Sequence, residues 1–536
     1  MLPFSIAWGA FALAFIVSSY LPEESLKTYA WAFWHIRSSS LTLRIAFVAL
    51  GTATIVPRIS RTLWTCTLRT FRMLRRWHYL PAYPTLALLL WGFRQHNYAL
   101  GDSAHLIQIV TFSSLVSGYH ITYDEPWELY VHCMGYRLLH RLGLDVADVY
   151  ALLSVAAGLA FFVISLGLSR RLGRGMGGKL LVMGMLWSCG WVQLFFGYVE
   201  NYTLVSVGMA LYLMLALDVV DGRRGLLLPA LVLSGSFCLH VLAGWWFPTL
   251  VYLWYLHGRR KGWRRASLEA LIGASVPVAV TLTYFPAIGY PLKYLKGTHL
   301  AHMKFMFLLD PSYRYYRYPI WDIRHIGDVL NELILVALPG LLALVASASS
   351  DKRGIDGRKF WFLVLCTVLL QTFTFTWNPD LGPLRDWDLF SVEALGYVPL
   401  GGYLLSRVSD RNFMRRVGMA TSSISCLWLA SWVGYNSVTD VKVDDWKDWA
   451  YVVLGDRAFR EGRLLDALHI YQEAIKIDPR NARAWEGLGR SYLRMGELKK
   501  AREALKEAEQ LSRYGPHRPL DGVHRERSAE SDPEAY

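Results

Sequence analysis

Residues 147–171 read ADVYALLSVAAGLAFFVISLGLSRR, a mostly apolar run that ends in two arginines. A membrane-spanning helix needs about 20 predominantly apolar residues, so this run predicts such a helix over 147–169. The same pattern recurs along the chain and predicts about 13 spans. They lie near 3–21, 41–57, 80–98, 147–169, 180–199, 202–219, 226–243, 245–257, 268–287, 328–348, 360–377, 390–406 and 417–435.

The composition agrees with a polytopic membrane protein. The 536 residues are 54% hydrophobic, and charged residues make up 18%, against about a quarter in soluble proteins. The net charge of +14 resides mostly in short loops between apolar runs, so we expect no nucleic-acid partner. The six cysteines are scattered and form no CxxC pattern, so neither a zinc motif nor a disulfide framework is indicated.

The basic loops predict the orientation. Clusters of Arg and Lys fall on one side if the spans are correct, and that side should be cytoplasmic. The clusters lie at 58–76, 170–179, 223–224, 259–265, 352–359 and 407–416. The N-terminus is then cytoplasmic, and everything after Tyr435 is extracytoplasmic. The first segment lacks a basic region ahead of its apolar run, so we expect it to be retained in the membrane rather than cleaved.

The composition changes after Asp440 to a soluble, repetitive pattern. Two segments superpose at an offset of 34 residues, with Leu454-Gly455 matching Leu488-Gly489 and Ala467 matching Ala501. This spacing resembles tetratricopeptide repeats, which are helical hairpins. We predict four parts of the chain on this basis. They are 1–79 (two spans and a basic linker), 80–435 (the membrane domain), 436–515 (repeats at about 448–481 and 482–515) and 516–536 (a disordered tail).

Polar residues gather in the loops of the opposite, outer side. Asp102 opens the first long outer loop, Glu200 lies at the turn between the fifth and sixth spans, and His240 interrupts the seventh. The later outer loops contribute His299, His302, Arg314, Arg317, Arg385, Asp386 and Asp388. Ionisable groups at this depth are costly unless they line a polar cavity, so we expect a functional site at this face.

These residues also have structural interpretations. Asp102 is placed to cap the helix that follows it, and His240 suits a packed, hydrogen-bonded role. The two histidines of the long outer loop have the spacing of ligands on one helical turn, but no third ligand accompanies them, so no metal site is predicted. The two arginines of that loop lie among tyrosines and suit interfacial anchors as well as phosphate contacts.

Several of these features together resemble the GT-C superfamily of membrane glycosyltransferases, of the dolichyl-phosphate-mannose and aminoarabinose transferase type. They are a long outer loop opening with Gly-Asp, a second acid between the next outer pair of spans, and a late basic-aromatic loop. The stretches DEPWELYVHCMGYRLLHRLGL (124–144) and DIRHIGDVLNELILVALPGLL (322–342) resemble segments of bacterial and archaeal members. A GT-C-like bundle followed by outer repeats is similar to the tetratricopeptide O-mannosyltransferases. The chain departs from many members in lacking paired acids after Gly101, and two apparent spans precede the usual start.

The resemblance implies an all-α, GT-C-like bundle that moves a sugar from a polyprenyl-phosphate donor to a protein, lipid or glycan acceptor. A sugar hydroxyl needs a carboxylate as general base, and Asp102 is our candidate, with Glu200 as the second carboxylate. The lipid phosphate calls for cationic donors, for which we expect His240, the loop residues His299, His302, Arg314 and Arg317, and Arg385. Asp386 and Asp388 would bind sugar hydroxyls. No cofactor is required, and a divalent metal is not indicated.

Two other functions remain open from the sequence. In a membrane scaffold, the repeats would recruit partners and the bundle would only anchor them. In a transporter of lipid-linked saccharides, ionisable residues would lie at mid-membrane beside broken helices, whereas here they cluster at the outer ends. The repeats themselves are candidates for binding a protein acceptor or an assembly partner, and equally for bracing the outer loops.

Overall fold

The computed structural model describes residues 2–18, 20–292, 319–348, 350–379 and 381–514. Within these residues the regular secondary structure is helical, with an isolated β-bridge between Lys352 and Val408 and no strand. The all-α prediction is therefore confirmed. The chain forms two compact units. The first comprises Met1–Ile107 and Ile121–Val443, and the second comprises Gln108–His120 and the residues from Asp444 onward.

The α-helices up to the end of the apolar region are numbered in chain order. They are α1 (Leu2–Ser18), α2 (Glu23–Tyr29), α3 (Leu41–Ile55), α4 (Pro57–Arg76), α5 (Ala82–Gly92), α6 (Ser103–Val116), α7 (Pro126–Leu139), α8 (Val146–Leu172), α9 (Gly175–Trp187), α10 (Thr203–Val220), α11 (Leu227–Leu239), α12 (Phe247–Lys261), α13 (Trp263–Ala287), α14 (Ile323–Ala348), α15 (Gly357–Thr376), α16 (Trp387–Phe390), α17 (Ala394–Leu405) and α18 (Arg411–Val438). Short 3₁₀ helices lie at Trp31–Ser38, His140–Leu142, Gly190–Phe195, Val241–Trp246 and Ser391–Glu393.

Each predicted span contains a helix, but the helices differ in length. Among the described residues, six are long and apolar enough to cross a membrane: α8, α10, α13, α14, α15 and α18. The count rises to seven if the bent pair α3 and α4 is taken as one span. The other predicted spans correspond to helices of 17 residues or fewer. The chain is an integral membrane protein, with more short and broken apolar helices than hydropathy alone predicts.

The breaks have local causes. The predicted span 180–199 ends as an α-helix at Trp187, and a 3₁₀ helix begins at Gly190, which packs directly on the carbonyl of Leu335. The predicted span 226–243 ends at Leu239 because His240 adopts an extended backbone conformation, with φ −151° and ψ 132°. Both breaks lie in apolar sequence, so a hydropathy window does not detect them.

The core of the first unit is aromatic and closely packed. Trp191, Trp246 and Trp428 are fully buried within one continuous apolar cluster. Glycines let helices approach each other: a Cβ on Gly401 of α17 would lie 3.0 Å from the carbonyl oxygen of Gly340 on α14. Small residues at helix contacts are typical of membrane bundles, where backbone proximity provides the packing energy.

Charged residues connect several helix ends at one end of the bundle. Arg171, near the end of α8, binds Asp218 of α10 through two hydrogen bonds of 2.8 and 2.5 Å. Lys359 of α15 donates to the carbonyl of Arg171 and pairs with Asp221 at 3.0 Å. Arg260 of α12 donates to the last carbonyls of α10. Arg223, in the loop after α10, also pairs with Asp218, at 3.6 Å. Residues of four predicted basic loops therefore meet at one end of the bundle.

The second unit contains two helical hairpins. The first is α19 (Lys447–Arg460) with α20 (Leu464–Ile477), and the second is α21 (Ala482–Arg494) with α22 (Leu498–Tyr514). Gly462 and Gly496 form the two tight turns with φ +78° and +84°, a conformation that favours glycine. The 34-residue offset thus relates two equivalent hairpins, as the repeat pattern predicts.

Candidate functional site

Gly101 and Asp102 form the centre of a carboxylate cluster in the first unit. The backbone N–H of Asp102 donates a hydrogen bond to Oε1 of Glu200, 98 residues away in the chain. Gly101 has φ +57°, and a Cβ at this position would lie 2.6 Å from Oδ2 of Asp388 and 2.9 Å from Cδ of Glu200. The absence of a side chain at Gly101 therefore lets two carboxylates approach the backbone beside Asp102.

The loop carrying Asp102 is attached to the segment before Glu200. Ser103 is buried and donates from Oγ to the carbonyl of Val199 at 2.8 Å. The N–H of Val199 in turn donates to Oε1 of Gln95. The carbonyl of Asp102 accepts from Leu106 N in the first turn of α6. The Asp102 side chain itself is exposed.

Glu200 is buried in the short connection ahead of α10. Its Oε1 accepts from the Asp102 N–H, and its Oε2 accepts from the N–H of Asn201 at 3.3 Å. Burial raises the pKa of the Glu200 carboxyl well above its usual range, and the nearby charges of Asp388 and Asp102 raise this pKa further. Burial beside like charges therefore favours the protonated form of Glu200.

Asp386 directly precedes the short helix α16, and Asp388 lies within it. Asp388 is buried; its Oδ1 accepts from Leu389 N at 3.1 Å, whereas its Oδ2 has no hydrogen-bond partner in the described structure. Burial raises the pKa of Asp388, and Asp386 and Asp102 raise it further. Asp386 is also buried, and its Oδ2 accepts from Leu381 N at 2.7 Å. Oδ2 of Asp388 thus lies beside Gly101 and the Glu200 carboxyl.

Arg385 brings a positive charge to the same place. The N–H of Gly101 donates to the carbonyl of Arg385 at 2.9 Å, and the Arg385 guanidinium donates back to the Gly101 carbonyl at 3.3 Å. The Arg385 side chain is exposed, so part of its donor capacity faces outward. The site therefore combines buried acids with a cation at its edge, as expected for handling a hydroxyl proton and an anionic leaving group.

His240 lies in a neighbouring part of the same unit. Its Nδ1 accepts from Leu242 N at 3.1 Å, and its Nε2 lies 3.7 Å from Oε2 of Glu125. The Tyr202 ring packs against it at 5.0 Å between ring centres. Glu125 is close enough to raise the pKa of Glu200, so His240 and Glu125 flank the carboxylate cluster.

The remaining sequence candidates lie outside the described residues. They are His299, His302, Arg314 and Arg317, so the expected phosphate contacts from the long outer loop rest on sequence. Among the described residues no group of three or more His, Cys, Asp or Glu side chains is arranged to hold a metal ion.

Glu125 is not among the site residues predicted from the sequence. This residue and Asp124 form an acid pair directly before Pro126-Trp127, where α7 begins, and the Asp124 carbonyl accepts from Val241 N. The sequence signal that could have identified Glu125 is this pair of acids in an outer loop, directly before a helix that begins with an aromatic residue. Glu128, one turn into α7, is fully buried, and burial followed by the charge of Glu125 raises its pKa.

The second unit has a groove of its own, about 590 Å³ in volume, between its last three helices. Trp485, Leu488 and Tyr492 supply an apolar and aromatic wall, and Lys476 and Lys500 supply positive charges. Glu503 and Glu507 also line the groove, so its charged side chains are of both signs.

Comparison with known proteins gave two kinds of match. No curated protein matches the chain. The structure is similar to that of ArnT from Cupriavidus metallidurans in the apo state, with 14% identity and a TM-score of 0.45, over 82% of this chain and 76% of ArnT. It is also similar to ArnT from the same organism bound to undecaprenyl phosphate, with 14% identity and a TM-score of 0.42, over 81% and 76% of the two chains. Residues 452–516 match the tetratricopeptide repeat family. The C-terminal hairpins are therefore a tetratricopeptide repeat domain.

Proposed function

We propose that this protein is a membrane glycosyltransferase that moves a sugar from a polyprenyl-phosphate donor to an acceptor hydroxyl at the extracytoplasmic face. The observation that carries the proposal is the convergence of Asp102, Glu200 and Asp388 around Gly101, with Arg385 at its edge. These groups come from three separate loops, which a membrane scaffold would have no reason to assemble.

In this proposal Asp102 is the general base. Its side chain is exposed toward an incoming acceptor, while its backbone is held by Glu200. A base within reach of the acceptor hydroxyl removes the proton as the bond to the anomeric carbon forms and the bond to the lipid phosphate breaks. Asp386 and Asp388 bind sugar hydroxyls. Arg385 and His240 stabilise the phosphate charge, together with the four basic residues of the long outer loop.

The proposed topology places the amino terminus in the cytoplasm and the repeats outside. Its support is the set of basic helix ends joined at one end of the bundle, through Arg171, Arg260 and Lys359. Positive residues favour the cytoplasmic side. Protease protection in sealed vesicles of known orientation tests this, since the repeats should be cleaved only from the extracytoplasmic side.

The decisive experiment is sugar transfer from a panel of radiolabelled polyprenyl-phosphate sugars. Asp102→Asn should lower the rate by about 10²–10⁴-fold, because it removes the base and leaves the side-chain volume unchanged. The matched control is Asp322→Asn, an aspartate paired with Arg324 at the start of α14. Equal rates for wild type and Asp102→Asn would refute the base assignment. Absence of transfer from every donor would favour the scaffold or the transporter.

A further inference from the structure

Helix α4 leaves the membrane-inserted part of the chain at a sharp angle. It begins at Pro57, directly after α3, and the two helix axes differ by 86°. Helix α3 is apolar and packs against the spanning helix α18, so it lies along the bundle. Because α3 is one of the predicted spans, a helix at this angle to it would run nearly parallel to the membrane surface, and α4 extends in its direction for 20 residues.

The side chains of α4 divide into three faces. At 3.6 residues per turn, Trp64 and Phe71 lie on one face, which packs toward α9 and α18. Ile59, Leu63 and Met73 lie on a second face and are 40, 36 and 56% exposed. The third face carries six exposed arginines. They are Arg58, Arg61, Arg69, Arg72, Arg75 and Arg76.

These arginines have no counter-charge of their own. The helix contains no acidic residue. Within the described residues, no ion pair joins any of the six guanidinium groups to a carboxylate. The neighbouring start of α18 adds further cations, Arg411, Arg415 and Arg416, and Arg416 donates to the Ile55 carbonyl at the bend. A concentrated positive charge therefore lies beside an exposed apolar face.

A positively charged face beside an exposed apolar face is typical of a helix that lies at a membrane interface. Exposed apolar side chains gain energy by entering the boundary between acyl chains and headgroups, and arginines beside them bind phosphate oxygens through paired hydrogen bonds. Clusters of basic residues on an amphipathic helix favour anionic over neutral lipids. We propose that α4 is an interfacial anchor that binds the headgroups of anionic phospholipids. This binding is independent of the catalytic assignment.

Cys66 offers a direct test in the full-length protein. It is exposed and lies on the same face of α4 as Ile59 and Met73. The other exposed cysteine is Cys426, so Cys426→Ser leaves one readily labelled thiol among the described residues. A spin label on Cys66 is then measured in nanodiscs of phosphatidylcholine with increasing phosphatidylglycerol. We expect its accessibility to oxygen to rise, and its accessibility to a water-soluble nickel chelate to fall, as the anionic fraction increases.

Substitutions of the α4 arginines test whether their charge causes the response to anionic lipid. Arg61→Gln with Arg72→Gln should raise the anionic lipid fraction needed for half-maximal immersion on the order of tenfold, and the corresponding lysine pair should retain most of the response. The matched control removes two exposed arginines of the second unit, Arg480→Gln with Arg502→Gln. A label at Cys66 that remains in water in every lipid would overturn the proposal, as would a response to the control equal to that of the α4 pair. Immersion of the Cys66 label that does not depend on the fraction of anionic lipid would also overturn the proposal.

Discussion

Replacing Gly101 by alanine places a methyl group at the centre of the carboxylate cluster. The new Cβ would lie 2.6 Å from Oδ2 of Asp388 and inside contact distance of Oε1 of Glu200. Ordinary contact begins at about 3.4 Å, so the Asp388 oxygen must move by about 0.8 Å. Both carboxylates are buried, and Glu200 accepts the hydrogen bond from the Asp102 N–H. The substitution therefore displaces the groups that hold Asp102.

The expected loss of stability has two components, and a loss of rate accompanies it. A residue other than glycine at φ +57° costs about 1–2 kcal/mol of backbone strain. Loss of the hydrogen bond from Asp102 to a carboxylate adds about 1.5–3 kcal/mol to the destabilisation. For catalysis, displacement of a positioned group by about 1 Å costs roughly 10²-fold in rate. We therefore expect a folded but less stable protein that transfers sugar about 10²-fold more slowly.

The control substitution Gly143→Ala separates the cost of backbone strain from the effect of displacing the carboxylates. Gly143 also has a positive φ, +81°, but a Cβ there would meet nothing within 4 Å. The control should show the strain cost in a thermal melt and a transfer rate near that of wild type. The assay is kcat for transfer from a polyprenyl-phosphate sugar, with Tm measured on the same preparations. A Gly101→Ala protein that is folded and as active as wild type would refute the role of the carboxylate cluster, as would an equal loss of activity in Gly143→Ala.

Three further substitutions test the electrostatics and the repeats. The folded-state pKa of Glu200 lies above its ordinary value of 4.5, so between these two pKa values the folded protein keeps a proton that the unfolded chain has released. Raising the pH from about 5 therefore lowers the stability of the wild type. Glu200→Gln should make Tm fall less over that rise. Asp218→Asn breaks the buried pair with Arg171 and should lower the free energy of unfolding by about 3–5 kcal/mol in denaturant titrations; a loss below about 1 kcal/mol would contradict this. Tyr471→Phe removes the 2.6 Å bond to Asp456 and should cost about 1 kcal/mol, seen as faster hydrogen exchange confined to the repeats.

The fold was predictable where the determining signal is local. Apolar runs located a helix for each expected span, and the 34-residue offset located two hairpins, because both patterns depend on residues close in sequence. The polar side chain of His240 marked an interruption of its span in the sequence, whereas the helix break at Cys189-Gly190 had no such signal. The break at Gly190 depends on packing with a distant residue, the carbonyl of Leu335.

The candidate site was predictable in its residue types and less so in its arrangement. Acids at the outer ends of spans indicated Asp102, Glu200 and Asp388, since ionisable groups there need a polar cavity. Sequence gave no sign that Glu200 binds the backbone of Asp102, because the two positions are 98 residues apart. Glu125 had no assigned role for the same reason, since its partner His240 belongs to another loop.

The glycine before Asp102 connects the local and the distant parts of this site. As a sequence feature, Gly-Asp at a span boundary is compatible with a simple helix start. Gly101, however, exchanges backbone hydrogen bonds with Arg385 and leaves room for Glu200 and Asp388, so one small residue joins three loops. A helix start needs none of these contacts. The requirement for glycine is therefore a property of the carboxylate cluster, and Asp102 takes its position from that cluster rather than from α6 alone.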